Sequence, residues 1–301
     1  MDDLEILLLL CFSFLTVLFL IHWYRPITMA WTGGRHRPTK IALSCLPLLS
    51  CTIILFTLRT LASFDVKGIF IVFYLLFGFA WLYGGLWFIT CFFDLSWRDD
   101  ALLAGNKAAL YTVAGAFLGL TCIYAGANVG DGPGWWCVLF AGGLGFAAWV
   151  ALAFLFNLCV GIFERVTVDR DIGCGIRFGC YLLASGILLG RASAGDWTSF
   201  SATIVEFCDG WPVLPLTLFA LAVEWFFLYR AKHREENLRP HAPDHRRGLD
   251  LSVSIVWGTA LVAATVAAVL LLPPPKENPI YRMSQEYNAT MFITALIYQS
   301  T

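Results

Sequence analysis

Residues 105–128 read GNKAALYTVAGAFLGLTCIYAGAN, and residues 170–190 read RDIGCGIRFGCYLLASGILLG. Each begins at an Asx residue, Asn106 or Asp171, and runs on through small and apolar side chains. About 20 such residues are enough to cross the roughly 30 Å of hydrocarbon in a bilayer. Six further stretches have this character. In chain order the eight expected spans are Leu4–Tyr24, Ile41–Ala62, Gly68–Phe93, Ala108–Asn128, Trp135–Phe163, Gly175–Ser193, Pro212–Tyr229 and Leu251–Leu272.

Composition agrees. Of 301 residues 59% are hydrophobic and 14% charged, against about 25% charged in soluble domains. Mean hydropathy is +0.73. This excludes a disordered chain and a typical soluble enzyme. A net charge of −1 gives no basic surplus to attract nucleic acid. The ten cysteines form no C-x-x-C pair and sit mostly in apolar runs. They read as small buried hydrophobes rather than as a disulfide framework or zinc site. The first stretch begins with Asp2, Asp3 and Glu5, the wrong charge for a signal peptide, so it reads as a retained anchor helix.

Orientation follows from the basic residues. The connections after the first, third, fifth and seventh spans, the fifth extended into the first turn of the next helix to include Arg177, carry 15 of the 20 Lys and Arg, and the other side carries 5. The odd-numbered connections are therefore expected to face the cytoplasm, with both termini outside. Trp23, Tyr24, Trp97, Trp135, Trp136, Trp197, Trp211 and Tyr229 fall near span ends, where amphipathic rings favour the headgroup level. The basic connection Arg230–Asp250 either sets orientation or touches anionic lipid. The tail 273–301 opens on three prolines that stop the last helix. Its apolar stretch Met291–Tyr298 is too short to span.

The unit "aromatic helix, acidic connection, Asx, small-residue helix" occurs twice, at Gly68–Asn128 and Trp135–Ser193. Asn106 and Asp171 stand 65 residues apart. Two crossings per unit make this a parallel repeat. The organisation expected is two N-terminal spans in 1–67, a four-span repeat core in 68–193, two C-terminal spans in 194–272, and an extracytoplasmic tail.

The residues Asp99-Asp100, Gly105-Asn106, Ala108-Ala109, Gly115 and Gly119, followed by Glu164-Arg165, Asp171, Gly175, Gly179, Ala184 and Gly186, form a pattern. It resembles the domain-of-unknown-function-350 (YjfL-like) family of bacterial inner-membrane proteins, over about residues 68–193. The sequence departs from that pattern at Lys107 and Arg177, where the family is apolar, and at Arg170, where it has Gly. The resemblance implies a bacterial inner-membrane location and topology, and carries no established activity.

Gly115-x-x-x-Gly119, Gly175-x-x-x-Gly179 and Gly186-x-x-x-Gly190 put small residues on one helix face, for packing within the chain or for a homo-oligomer. Asn106 and Asp171 suit N-caps, or else a polar pair at the inner mouth of a central cavity. Asp94, Asn157, Arg177 and Glu224 are the polar residues within or at the ends of spans, where such groups are functional candidates. Arg177 is expected to pair with Glu224 or Glu164, or to snorkel. His241 and His245 have metal-ligand spacing, but Pro240 and Pro243 oppose a helix there. Asn288-Ala289-Thr290 matches a glycosylation sequon. No Walker loop, G-x-S-x-G or H-E-x-x-H motif is present, so no cofactor and no enzyme chemistry are expected.

The expected fold is an all-α bundle of eight transmembrane helices, with the lipid bilayer as its partner. Two functions stay open: movement of a small solute or ion through the repeat core, or a non-transporting scaffold, sensor or stress-response component.

Overall fold

The computed structural model describes residues 2–30, 37–63, 65–237, 245–272 and 275, with the backbone alone for 231–237 and 245–249. The His241–His245 spacing, the basic connection beyond Arg230, the sequon at Asn288 and the stretch 291–298 lie outside the described side chains.

The described residues form ten α-helices: α1 (Asp3–Met29), α2 (Arg37–Thr60), α3 (Ile69–Phe92), α4 (Lys107–Ala127), α5 (Trp135–Val160), α6 (Ile162–Thr167), α7 (Ile172–Ala192), α8 (Phe200–Phe207), α9 (Val213–Asn237) and α10 (His245–Leu271). A π-helical turn, Trp97–Leu103, precedes α4. Among the described residues, eight helical stretches are long and apolar enough to cross a membrane, α8 and α9 counting as one. The eight-span reading therefore holds, and the protein is an integral membrane protein. Two boundaries differ. The fifth span ends at Val160, where Gly161 adopts φ +60°, and α6 leaves in a new direction. The seventh span has α8 ahead of it.

Burial decides which helices are central. In α4 and α7, 72% of the apolar window is buried, against 11% in α1 and 22% in α10. The α4–α7 contact is made by backbone on backbone. A Cβ on Gly115 would run into the carbonyl of Gly179, and one on Gly126 into the carbonyl of Gly190. One on Gly186 would meet Cα of Gly119 at 2.5 Å. Lipid tails give helices no hydrophobic reason to associate, so close packing and hydrogen bonds must hold them. Thr112 Oγ1 donates to the Gly175 carbonyl at 3.3 Å, and Trp149 Nε1 of α5 donates to the Leu182 carbonyl at 2.9 Å. Ser50 of α2 and Thr121 of α4 pair their hydroxyls at 2.6 Å. The three small-residue faces are thus occupied within one chain, and self-association through them would need α4 and α7 to part.

The segments that lead into α4 and α7 share backbone detail. Both α4 and α7 have 21 residues. Gly105 (φ +62°) and Arg170 (φ +53°) precede the caps in the same left-handed conformation. Glycine takes that conformation freely, whereas for arginine it costs about 1–2 kcal/mol. Asn106 N donates to the Asp100 carbonyl at 2.9 Å, and Asp171 N to the Arg165 carbonyl at 3.0 Å.

Not every aromatic near a span end faces outward. Trp23 is 1% exposed, stacks on buried Trp97 at 4.2 Å and donates Nε1 to the Leu43 carbonyl at 3.0 Å. Both rings tie α1 to the connection before α4. Trp211 and Tyr229, at 65% and 57% exposure, keep the outward placement.

Candidate functional site

Two polar regions lie at opposite ends of the α3–α4–α5–α7 core. At the end where α4 and α7 begin, four charged side chains form one cluster. Arg177, one turn and a half into α7, reaches Glu224 of α9 through Nε (2.6 Å to Oε2) and Nη2 (2.7 Å to Oε1). Its Nη1 donates to Ser254 Oγ of α10 at 2.6 Å, and its guanidinium lies 4.0 Å from the Phe227 ring centre. Arg165 of α6 donates to Glu224 Oε1 at 2.6 Å and to Asp171 Oδ2 at 3.0 Å. Two guanidinium groups face two carboxylates, so the charge balances. The Arg177 and Glu224 side chains are 6% and 2% exposed, and Asp171, at 41%, is the cluster's opening to water. A paired, fully hydrogen-bonded ion set is the form in which charge is tolerated at this depth.

The expected Arg177–Glu224 pair is therefore present, and Arg177 turns inward rather than snorkelling. Glu164, the other partner considered, is exposed. Sequence reasoning missed Arg165 and Ser254. Arg165 sits in a connection, where a positive charge reads as an orientation signal, and a serine in a span carries no signal of its own.

Asn106 does more than cap. Its Oδ1 accepts from Ala108 N (3.0 Å) and Ala109 N (3.2 Å), while Nδ2 donates to the Val166 carbonyl at 2.7 Å. The start of α4 is thereby tied to α6, just before α7. Serine caps about as well as asparagine but has no amide to donate. Asn106→Ser should lower stability by about 1–3 kcal/mol, the cost of a buried carbonyl left unpaired. Asp171→Ser keeps the α7 cap, in which Oδ1 accepts from Cys174 N at 3.1 Å. It loses a half-exposed ion pair, so it should cost less, under about 1 kcal/mol. Unfolding midpoints in detergent test this, and equal losses would contradict it.

Two candidates fall outside the cluster. Asp94 is exposed in a left-handed turn after α3. Asn157 accepts at Oδ1 from Phe163 N at 3.0 Å and so braces the α5–α6 bend.

At the other end, a cavity of about 140 Å³ lies among α1, α3, α5, α8 and the C-termini of α4 and α7. Five carboxylates line it: Glu5, Asp65, Asp131, Asp196 and Glu206. The loops that form its rim are pinned together. Asp131 N donates to Asp196 Oδ1 at 2.7 Å, Trp197 N to the Asp131 carbonyl at 2.7 Å, and Gly195 N to the Val129 carbonyl at 3.0 Å. The carbonyl ends of α4 and α7 add partial negative charge there. None of these carboxylates stood out in the sequence, although Asp131 and Asp196 repeat the 65-residue offset of Asn106 and Asp171. Among the described residues, no group of three or more His, Cys, Asp or Glu is arranged to hold a metal ion.

Residues 58–195 match the family described as Domain of Unknown Function (DUF350), which bears out the resemblance read from the Gly-Asn and Asp motifs. No curated protein and no solved structure matches the chain. The matched segment supplies Arg165, Asp171 and Arg177, whereas Glu224 and Ser254 lie beyond it.

Proposed function

We propose that the protein moves a small cation across a bacterial inner membrane, with α3, α4, α5 and α7 as the walls of the path. The observation that carries this reading is the acidic cavity at one end of those helices. Carboxylates and helix C-termini in a low-dielectric recess focus negative potential and concentrate cations. The distribution of Lys and Arg supports placing the cavity outside and the Arg165–Glu224–Arg177 cluster at the cytoplasmic end, both termini then being extracytoplasmic. The two units act as a parallel repeat. Equal lengths of α4 and α7, matching left-handed residues before their caps, and the 65-residue offset of Asp131 and Asp196 support it. Passage requires α3 or α5 to move against the closed α4–α7 seam, and this chemistry needs no catalytic residue.

The seam also favours a second reading, a non-transporting scaffold or sensor, because backbone packed on backbone leaves no room between the central helices. Flux separates the two. Purified protein in liposomes should take up Rb⁺ or Mg²⁺ above protein-free vesicles. Joint Asp65→Asn and Glu206→Gln should reduce that uptake several-fold, since both line the cavity. No uptake of either ion leaves the scaffold reading standing and removes the transport one.

A further inference from the structure

We propose that a groove between α1, α3 and the π-helical turn binds one anionic phospholipid. The groove has a volume of about 550 Å³, within the range of small-molecule sites. Its lining divides by chemistry. Arg25, Arg98 and His22 supply the polar end, and Leu18 and Ile21 the apolar track, with Met29 on the far side of Arg25. Among the described residues, no carboxylate lines the groove.

The charge here is not spent as it is elsewhere at this end of the bundle. Arg165 and Arg177 are neutralised by Asp171 and Glu224. Arg25 is exposed and makes no ion pair among the described residues. Among the described residues Arg98 has only a 4.0 Å contact with Asp99, both side chains being more than half exposed. Two guanidinium groups without close carboxylates at the edge of the hydrocarbon fit a phosphodiester, which each can bind through paired N–H groups.

The geometry of α1 sets where the acyl chain runs. Leu18 and Ile21 precede Arg25 by seven and four residues, about 10 Å and 6 Å deeper along the helix. Ile21 faces out of the bundle, at 53% exposure, and Leu18 is half-buried beneath it. A headgroup on the arginines thus leaves a chain lying on an apolar strip. Basic pockets between transmembrane helices bind acidic headgroups in this way. The inference does not depend on which end of the bundle is cytoplasmic.

Native mass spectrometry of the detergent-purified full chain tests it. With equal phosphatidylglycerol and phosphatidylcholine added, one phosphatidylglycerol should survive activation that strips phosphatidylcholine. Arg25→Gln with Arg98→Gln should lower that retention at least ten-fold. The charge-matched pair Lys107→Gln and Arg230→Gln, both exposed and outside the groove, should keep it. Ile21→Trp, which fills the apolar track but leaves both arginines, should also lose it. Equal retention of the two lipids, equal retention in the two double variants, or displacement of the lipid by millimolar inorganic phosphate would each overturn the proposal. The last outcome would mean a soluble-anion site.

Discussion

Glu224→Gln is expected to cost the fold about 3–5 kcal/mol, the loss seen when one partner of a buried ion pair is removed. The substitution is nearly isosteric, so packing hardly changes. What changes is charge: Arg177, 6% exposed, keeps Ser254 but no anion, and Arg165 keeps only half-exposed Asp171. Arg230→Gln, at an exposed site on the same helix, should be nearly silent, since exposed charges contribute about 0–1 kcal/mol. The joint change Arg177→Met with Glu224→Met should recover part of the loss. A well-packed apolar pair often matches a buried ionic one because neither desolvation cost remains. Unfolding in detergent measures all three. If Glu224→Gln and Arg230→Gln unfold together, the cluster does not hold α9 to α7.

Gly115→Ala and Gly126→Ala should be as damaging, by a different route. Each adds one methyl where the neighbour is a backbone carbonyl of α7, which no rotamer change can relieve. The helices must separate along the seam, and the cost of overpacking, about 1–3 kcal/mol in ordinary cores, should fall at or above the top of that range. The same change at Gly84 of α3 or Gly143 of α5 meets nothing within 4 Å. There it should stabilise by about 0.5–1 kcal/mol, because alanine loses less backbone entropy in a helix. Yield of folded protein and its unfolding midpoint distinguish the pairs. A tolerated Gly115→Ala would show that the seam is looser than the glycine contacts imply.

The sequence made the spans legible because a bilayer imposes one length and one polarity on every crossing. It also showed Arg177 and Glu224, since a charge inside an apolar run is conspicuous. Arg165 is invisible by the same logic: it lies in a connection, and only the turn at Gly161 brings it back against α9. Trp23 and Trp97 misled because an aromatic near a span end can face the headgroups or the neighbouring helix, and one-dimensional position does not separate the two. The acidic cavity was hidden for a related reason. Its five carboxylates come from five separate connections and helix ends, from Glu5 to Glu206, each of them ordinary where it stands.

The central pairing of α4 and α7 has a consequence for biogenesis. The starts of the two helices, Lys107 and Ile172, are 65 residues apart. At about 5–20 residues per second of synthesis, α4 waits roughly 3–13 s for the helix that fills its glycine groove. Arg177 then enters ahead of Glu224 by 47 residues, about 2–9 s at the same rate. During that interval the bilayer or the insertion machinery must shelter an unpaired guanidinium. The last two spans are thus what completes insertion of the sixth, and the order of the chain, not only its final packing, sets when the core becomes stable.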